Sequence, residues 1–100
     1  MPYTVTVISN KPPGTAWWNA EPPNSIAREE LFAWIAEQPG FFSITALAIS
    51  EDSRGNIFVW DNEANYKALL SAMVLQPAAQ VLAAYNQTWG ITWTVTAVTT

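Results

Sequence analysis

Apolar and polar residues alternate strictly along Tyr3-Thr4-Val5-Thr6-Val7, a β-branched run that closes on Ile8. Successive side chains of a strand point to opposite faces. The run therefore predicts a strand with Tyr3, Val5 and Val7 on one side and Thr4 and Thr6 on the other. The same period returns at the far end of the chain, where Ile91 to Val98 alternate with Thr92, Thr94 and Thr96. In between, the period lengthens. Ala27, Leu31, Trp34 and Ile35 recur at helical spacing and predict an amphipathic helix over 25–37. Asn24 or Ser25 is suited to cap it, Glu29 and Glu30 suit its early turns, and Pro39-Gly40 ends it. Residues 41–50 are apolar on both faces, as expected of a strand covered on both sides. Glu51 to Gly55 reads as a charged turn, and 56–60 as the return strand of a hairpin. Asp61 or Asn62 caps a second helix with Tyr66, Leu69, Leu70 and Met73 on one face. Pro77 interrupts that face, and Ala78, Val81, Leu82 and Tyr85 resume it. Either the helix kinks there, or it stops and restarts with Pro77 in its first turn.

The order strand, helix, strand, strand, helix, strand is the split βαβ unit of a ferredoxin-like α+β fold. Residues 1–100 are expected to form one such domain. Right-handed crossovers put both helices on one face of an antiparallel sheet with strand order 4-1-3-2. The other face is left bare. No charged side chain falls inside any of the strands as predicted, so a water-exposed sheet face is a poor solution. Pairing two bare faces across a two-fold axis is a better one. The expected partner is thus a second copy of the chain, giving a homodimer. Residues 9–24 hold four prolines, one glycine and the pair Trp17-Trp18, and read as a long loop.

Composition sharpens this picture mainly by exclusion. Half of the 100 residues are apolar, and thirteen are aromatic, six of them Trp. That surplus calls for an interface or a ligand to cover it. There is no Cys and no His. Disulfides, thiolate nucleophiles and Ser-His-Asp or Cys-His arrangements are thereby excluded. Loss of the commonest metal and haem ligands leads us to expect no metal and no cofactor. The net charge of −4, with four basic residues, argues against nucleic-acid binding. No apolar run is long enough to span a membrane, and the amino terminus reads as a strand without a basic leader segment. A cytoplasmic protein without membrane attachment is the expectation. Glu51, Asp52 and Arg54 read as a solvated turn, and the sequon Asn86-Gln87-Thr88 as a chance tripeptide.

Pro39-Gly40-Phe41, a hairpin, and then Trp60-Asp61-Asn62-Glu63-Ala64 opening a helix form a pattern with a known parallel. The chain resembles the dimeric α+β barrel superfamily, and more narrowly its antibiotic-biosynthesis-monooxygenase type. The likeness covers about residues 25–98 in element order and 39–66 in motif. It implies a homodimer whose sheets pack face to face, with a pocket between sheet and helices in each subunit. Some members are cofactor-free oxygenases of phenolic or quinol-like substrates. They use an Asn and a Trp on the third strand and a Tyr early in the second helix. Asn56, Trp60 and Tyr66 fall at compatible positions. The basic side chain that assists some members has no evident counterpart, and the lack of His sets the haem-dependent branches aside. Trp17 and Trp18 are further ligand-contact candidates, as a lid over the pocket mouth, a dimer anchor or a hydrophobic plug. Two readings follow. One is a homodimer that binds a small, mainly apolar or aromatic ligand, with cofactor-free oxygenation as its chemistry if it is an enzyme. The other is a non-catalytic interaction or structural module.

Overall fold

The computed structural model describes residues 1–99. Four strands, β1 (Tyr3–Asn10), β2 (Phe41–Ser50), β3 (Ser53–Trp60) and β4 (Thr92–Thr99), form one antiparallel sheet in the order β2-β3-β1-β4. This is the predicted order read from the opposite edge. Helix α1 (Pro22–Ala36) links β1 to β2, and α2 (Glu63–Met73) with α3 (Pro77–Trp89) links β3 to β4. The fold is α+β and ferredoxin-like, with its second crossover split into two helices.

The helix boundaries follow local chemistry. Helix α1 starts at Pro22, earlier than the apolar spacing predicts, because Pro22 and Pro23 occupy the first positions, where a missing N–H costs nothing. Asn24 is therefore not the cap. It lies buried inside the first turn, and its Nδ2 donates to Glu21 Oε2 at 3.1 Å. Asn62 does cap α2, its Oδ1 accepting from the Asn65 N–H at 2.9 Å. Of the two alternatives at Pro77, the chain takes the stop and restart. Gly90 closes α3 at φ 70°, in the left-handed region that glycine enters without strain.

The hairpin is tighter than predicted. Ser50 pairs with Ser53, so Arg54 and Gly55 lie within β3 rather than in the turn. Gly55 is a point of close approach: a Cβ there would meet the Val7 carbonyl. Asp52, expected to be solvated, forms an ion pair with the buried Lys11 at 2.6 Å.

Val5, Leu31, Ile35, Phe58, Trp60 and Leu69 make the main core, with Val5 and Trp60 fully buried. A second core joins Trp17 and Trp18 to Tyr85 and Ile91. The Tyr85 hydroxyl donates to the Ala16 carbonyl at 2.7 Å, so the loop before α1 is fastened to α3. The helices cover the central strands only. Strand β4 is exposed along its whole length, and Trp93, on the sheet face that carries Val5 and Val7, is 53% exposed. Phe42 and Ile49 of β2 are also exposed, so β2 is not covered on both sides within one chain.

Candidate functional site

Strand register assembles the floor of a cleft. Directly opposed residues of neighbouring strands share a face. Val5 stands opposite Phe58, Val7 opposite Asn56 and Tyr3 opposite Trp60. All six therefore face the helices. Leu31, Phe32 and Ile35 of α1 and Tyr66 and Leu69 of α2 form the walls over this floor. Between them lies a cleft of about 490 Å³, within the size range of small-molecule sites and lined mainly by apolar atoms.

Four of the five residues singled out from the sequence reach this cleft: Asn56, Trp60, Tyr66 and Trp18. The two strand residues do so because positions 56 and 60 share the parity of Phe58. Tyr66 follows from the Asn62 cap, which starts α2 so that its first turn lies over the end of β3. The rings are in contact: Trp60 and Tyr66 centroids are 6.2 Å apart, and Phe41 meets Trp60 edge-on at 5.6 Å.

Trp17 is the exception and does not line the cleft. Its Nε1 donates to the Glu51 carbonyl at 2.9 Å, tying the loop to the hairpin turn. The Arg54 guanidinium lies 4.8 Å and the Lys11 ammonium 5.8 Å from its ring centre. Trp18 faces the cleft, and its Nε1 donates to Asn86 Oδ1 at 2.6 Å.

The polar groups of Asn56, Trp60 and Tyr66 share one property. Trp60 Nε1 is buried and has no hydrogen-bond partner. The Asn56 amide and the Tyr66 hydroxyl likewise make no side-chain hydrogen bond among the described residues. Buried polar groups are normally paired, and an unpaired one costs about 1–3 kcal/mol. Trp60 Nε1 carries that cost; with the half-buried Asn56 amide and Tyr66 hydroxyl it forms, at one apolar cleft, a set of donors and acceptors that a ligand can satisfy. Burial, with Tyr3 nearby, pushes the Tyr66 hydroxyl above its ordinary pKa of 10.0. Tyr66 is therefore a neutral donor at physiological pH.

Sequence reasoning missed Arg28 and Asn86, which also line the cleft. Arg28 precedes Leu31 by three residues, Phe32 by four and Ile35 by seven, so helical spacing alone places it on the buried face. A cation in an apolar stripe was the available signal. Its guanidinium lies 4.5 Å from the Phe32 ring centre and 5.8 Å from that of Trp18. Burial, and then the charge of Arg54, hold its pKa below the ordinary arginine value.

SnoaB from Streptomyces nogalater, a cofactor-independent oxygenase, superposes with a TM-score of 0.68 at 19% identity, over 99% of this chain and 92% of that one. The fold is that of antibiotic-biosynthesis-monooxygenase-type proteins. A second structure, an antibiotic biosynthesis monooxygenase, gives 0.66 at 14% identity over 98% and 97% of the two chains. A Deinococcus radiodurans protein described as a candidate monooxygenase of the same type gives 0.58 at 13% identity over 100% and 92%. No family model matches the sequence, and no curated protein does. Among the described residues, no single helix is long and apolar enough to cross a membrane.

Proposed function

We propose that the chain acts as a homodimer in which each subunit binds a small, mainly aromatic ligand in the cleft and oxygenates it without a cofactor. The carrying observation is the convergence of three unpartnered polar groups, on Asn56, Trp60 and Tyr66, in a cleft otherwise lined by apolar side chains. The likeness to SnoaB supports the same reading. An oxygenation without a cofactor balances when the substrate supplies all four electrons. A ring carbon bearing two hydrogens becomes a carbonyl. One atom of dioxygen stays in that carbonyl, and the other leaves as water with the two hydrogens. An ionised phenolic substrate can deliver the first electron to dioxygen itself. The protein then has to exclude water, hold the ring and satisfy its oxygens. The Trp60 indole N–H and the Tyr66 hydroxyl are the donors for those oxygens, and the Asn56 amide can hold a carbonyl or the incoming dioxygen.

The homodimer reading rests on the open sheet face. Thr4, Thr6, Ile8, Ile57 and Val59 lie on it by register and carry no charge. Native mass spectrometry tests this part: the expected species is a dimer of twice the 11.0 kDa chain. Labelled dioxygen tests the chemistry on phenolic polycyclic probes, with no flavin, metal or nicotinamide added. The expected product carries one labelled atom, and labelled water forms in equal amount. A dimer that binds no aromatic probe and consumes no dioxygen would instead favour the interaction module.

A further inference from the structure

The four basic side chains of this chain are not used alike. Lys11 is paired with Asp52 at 2.6 Å, and Lys67 with Glu63 at 3.0 Å. Arg28 and Arg54 form no ion pair and no side-chain hydrogen bond among the described residues. Yet the chain holds eight acidic residues against four basic ones. The two unpaired guanidiniums also converge. Arg28 lies over Trp18, Arg54 lies over Trp17, and the two indoles are 4.9 Å apart. Arg28 lines the cleft. Arg54 stands opposite Ser9, another lining residue, and so shares its face of the sheet. The arrangement is unfavourable as it stands. Two like charges sit close together beside an apolar cleft, and among the described residues none of the chain's carboxylates pairs with either.

We propose that this end of the cleft is an anion subsite, and that the ligand is an aromatic acid bound as its anion, through a carboxylate or an ionised phenol. The inference deepens the functional reading above and rests on it. Each guanidinium presents five N–H donors in a planar fork suited to a pair of oxygens. One negative oxygen group near Arg28 would relieve the repulsion from Arg54 and fill the empty donor sites. The aromatic part of the ligand would then extend over Phe58 toward Trp60 and Tyr66. The lowered pKa of Arg28 agrees with a cation that lacks its counter-charge. The subsite also answers a chemical need. With no His and no strong base in the cleft, the protein has little means of ionising a phenol, and selecting the phenolate already present in solution removes that requirement for a phenolic ligand.

The test compares two neutral-sized probes of one shape, 2-naphthoate and 2-naphthamide, by calorimetric titration of the intact protein at neutral pH. The expected result is naphthoate binding at least about tenfold tighter than the amide, the scale of one charge-assisted contact. Arg28→Gln should abolish that preference. Arg28→Lys should keep part of the preference and covers the case in which the glutamine variant misfolds. Arg54→Gln should reduce it less, and Lys67→Gln, remote and exposed, should leave it intact. Equal binding of the two probes by the unmodified protein would overturn the anion subsite and leave the apolar cleft standing. Binding of neither would overturn both readings.

Discussion

Gly40 has φ +83°, and a Cβ there would collide with the Asp61 carboxylate and the Asn65 amide. Its carbonyl accepts from the Asp61 N–H at 2.8 Å. The two halves of the motif, Pro39-Gly40-Phe41 and Trp60-Asp61-Asn62, are thus one physical contact. Gly40→Ala should destabilise the fold by ~1–3 kcal/mol, since it adds backbone strain to a clash. Urea denaturation followed by circular dichroism measures it.

Trp60 separates structure from function at the same scale. Trp60→Phe loses packing worth ~1–2 kcal/mol but also removes an unpartnered buried N–H whose burial costs ~1–3 kcal/mol. Stability should change little, while the affinity for an aromatic probe should fall about tenfold. A large loss of stability with unchanged affinity would mean that Trp60 is only a core residue. The Tyr66 hydroxyl makes a pH prediction. Its pKa is raised in the folded chain, so its contribution to stability is complete below the unfolded value near 10.0. That contribution is lost as pH rises through the folded value. Denaturation midpoints should fall as pH rises above about 10, and Tyr66→Phe should flatten part of the decline.

Among the elements, α2 depends on its cap. Asn62→Ala removes the bond to the Asn65 N–H and should cost ~1 kcal/mol in a thermal or chemical melt. Because the first turn of α2 carries Tyr66 into the cleft, the same variant should weaken probe binding without altering any lining residue. The loop before α1 is held by other means. The Trp17 bond to the Glu51 carbonyl and the Lys11–Asp52 pair fasten it to the hairpin turn. Trp18 and Tyr85 fasten it to α3. The tryptophan pair, read from the sequence as lid, anchor or plug, builds a packed second core with one face, that of Trp18, toward the cleft.

For the whole molecule, the outcome turns on which sheet surfaces are left uncovered. Helices lie over β1 and β3, so the apolar residues of β4 on both faces stay exposed in the single chain: Trp93 at 53%, Val95 at 49% and Val98 at 54%. A monomer seldom keeps so much apolar surface in water. Thr6 pairs with Ile57 on one side and Thr96 on the other, at the centre of the open face. Thr6→Glu should therefore turn the expected dimer into a folded monomer, read by native mass spectrometry or light scattering. Buried like charges related by a two-fold axis would meet there unpaired.

The period of the apolar pattern determined most of the fold by itself. Period two put strands at both ends, helical spacing placed the elements between them, and handedness rules then left one sheet order. Asn56, Trp60 and Tyr66 were legible as candidates because motif and parity place them without knowledge of distant neighbours. Contacts between distant segments decided the rest. Pro22 and Pro23 could begin α1 because the preceding loop is pinned through Trp17 and Trp18, a contact across 34 and 68 residues of chain that local spacing does not encode. Trp93 stays half exposed at the edge of the cleft because the helices do not cover β4. Arg54 read as part of a solvated turn, and only strand register and helix packing brought it and Arg28 to one pair of indoles. Periodicity carries information about which way a side chain points. Only the packed chain decides what that side chain meets.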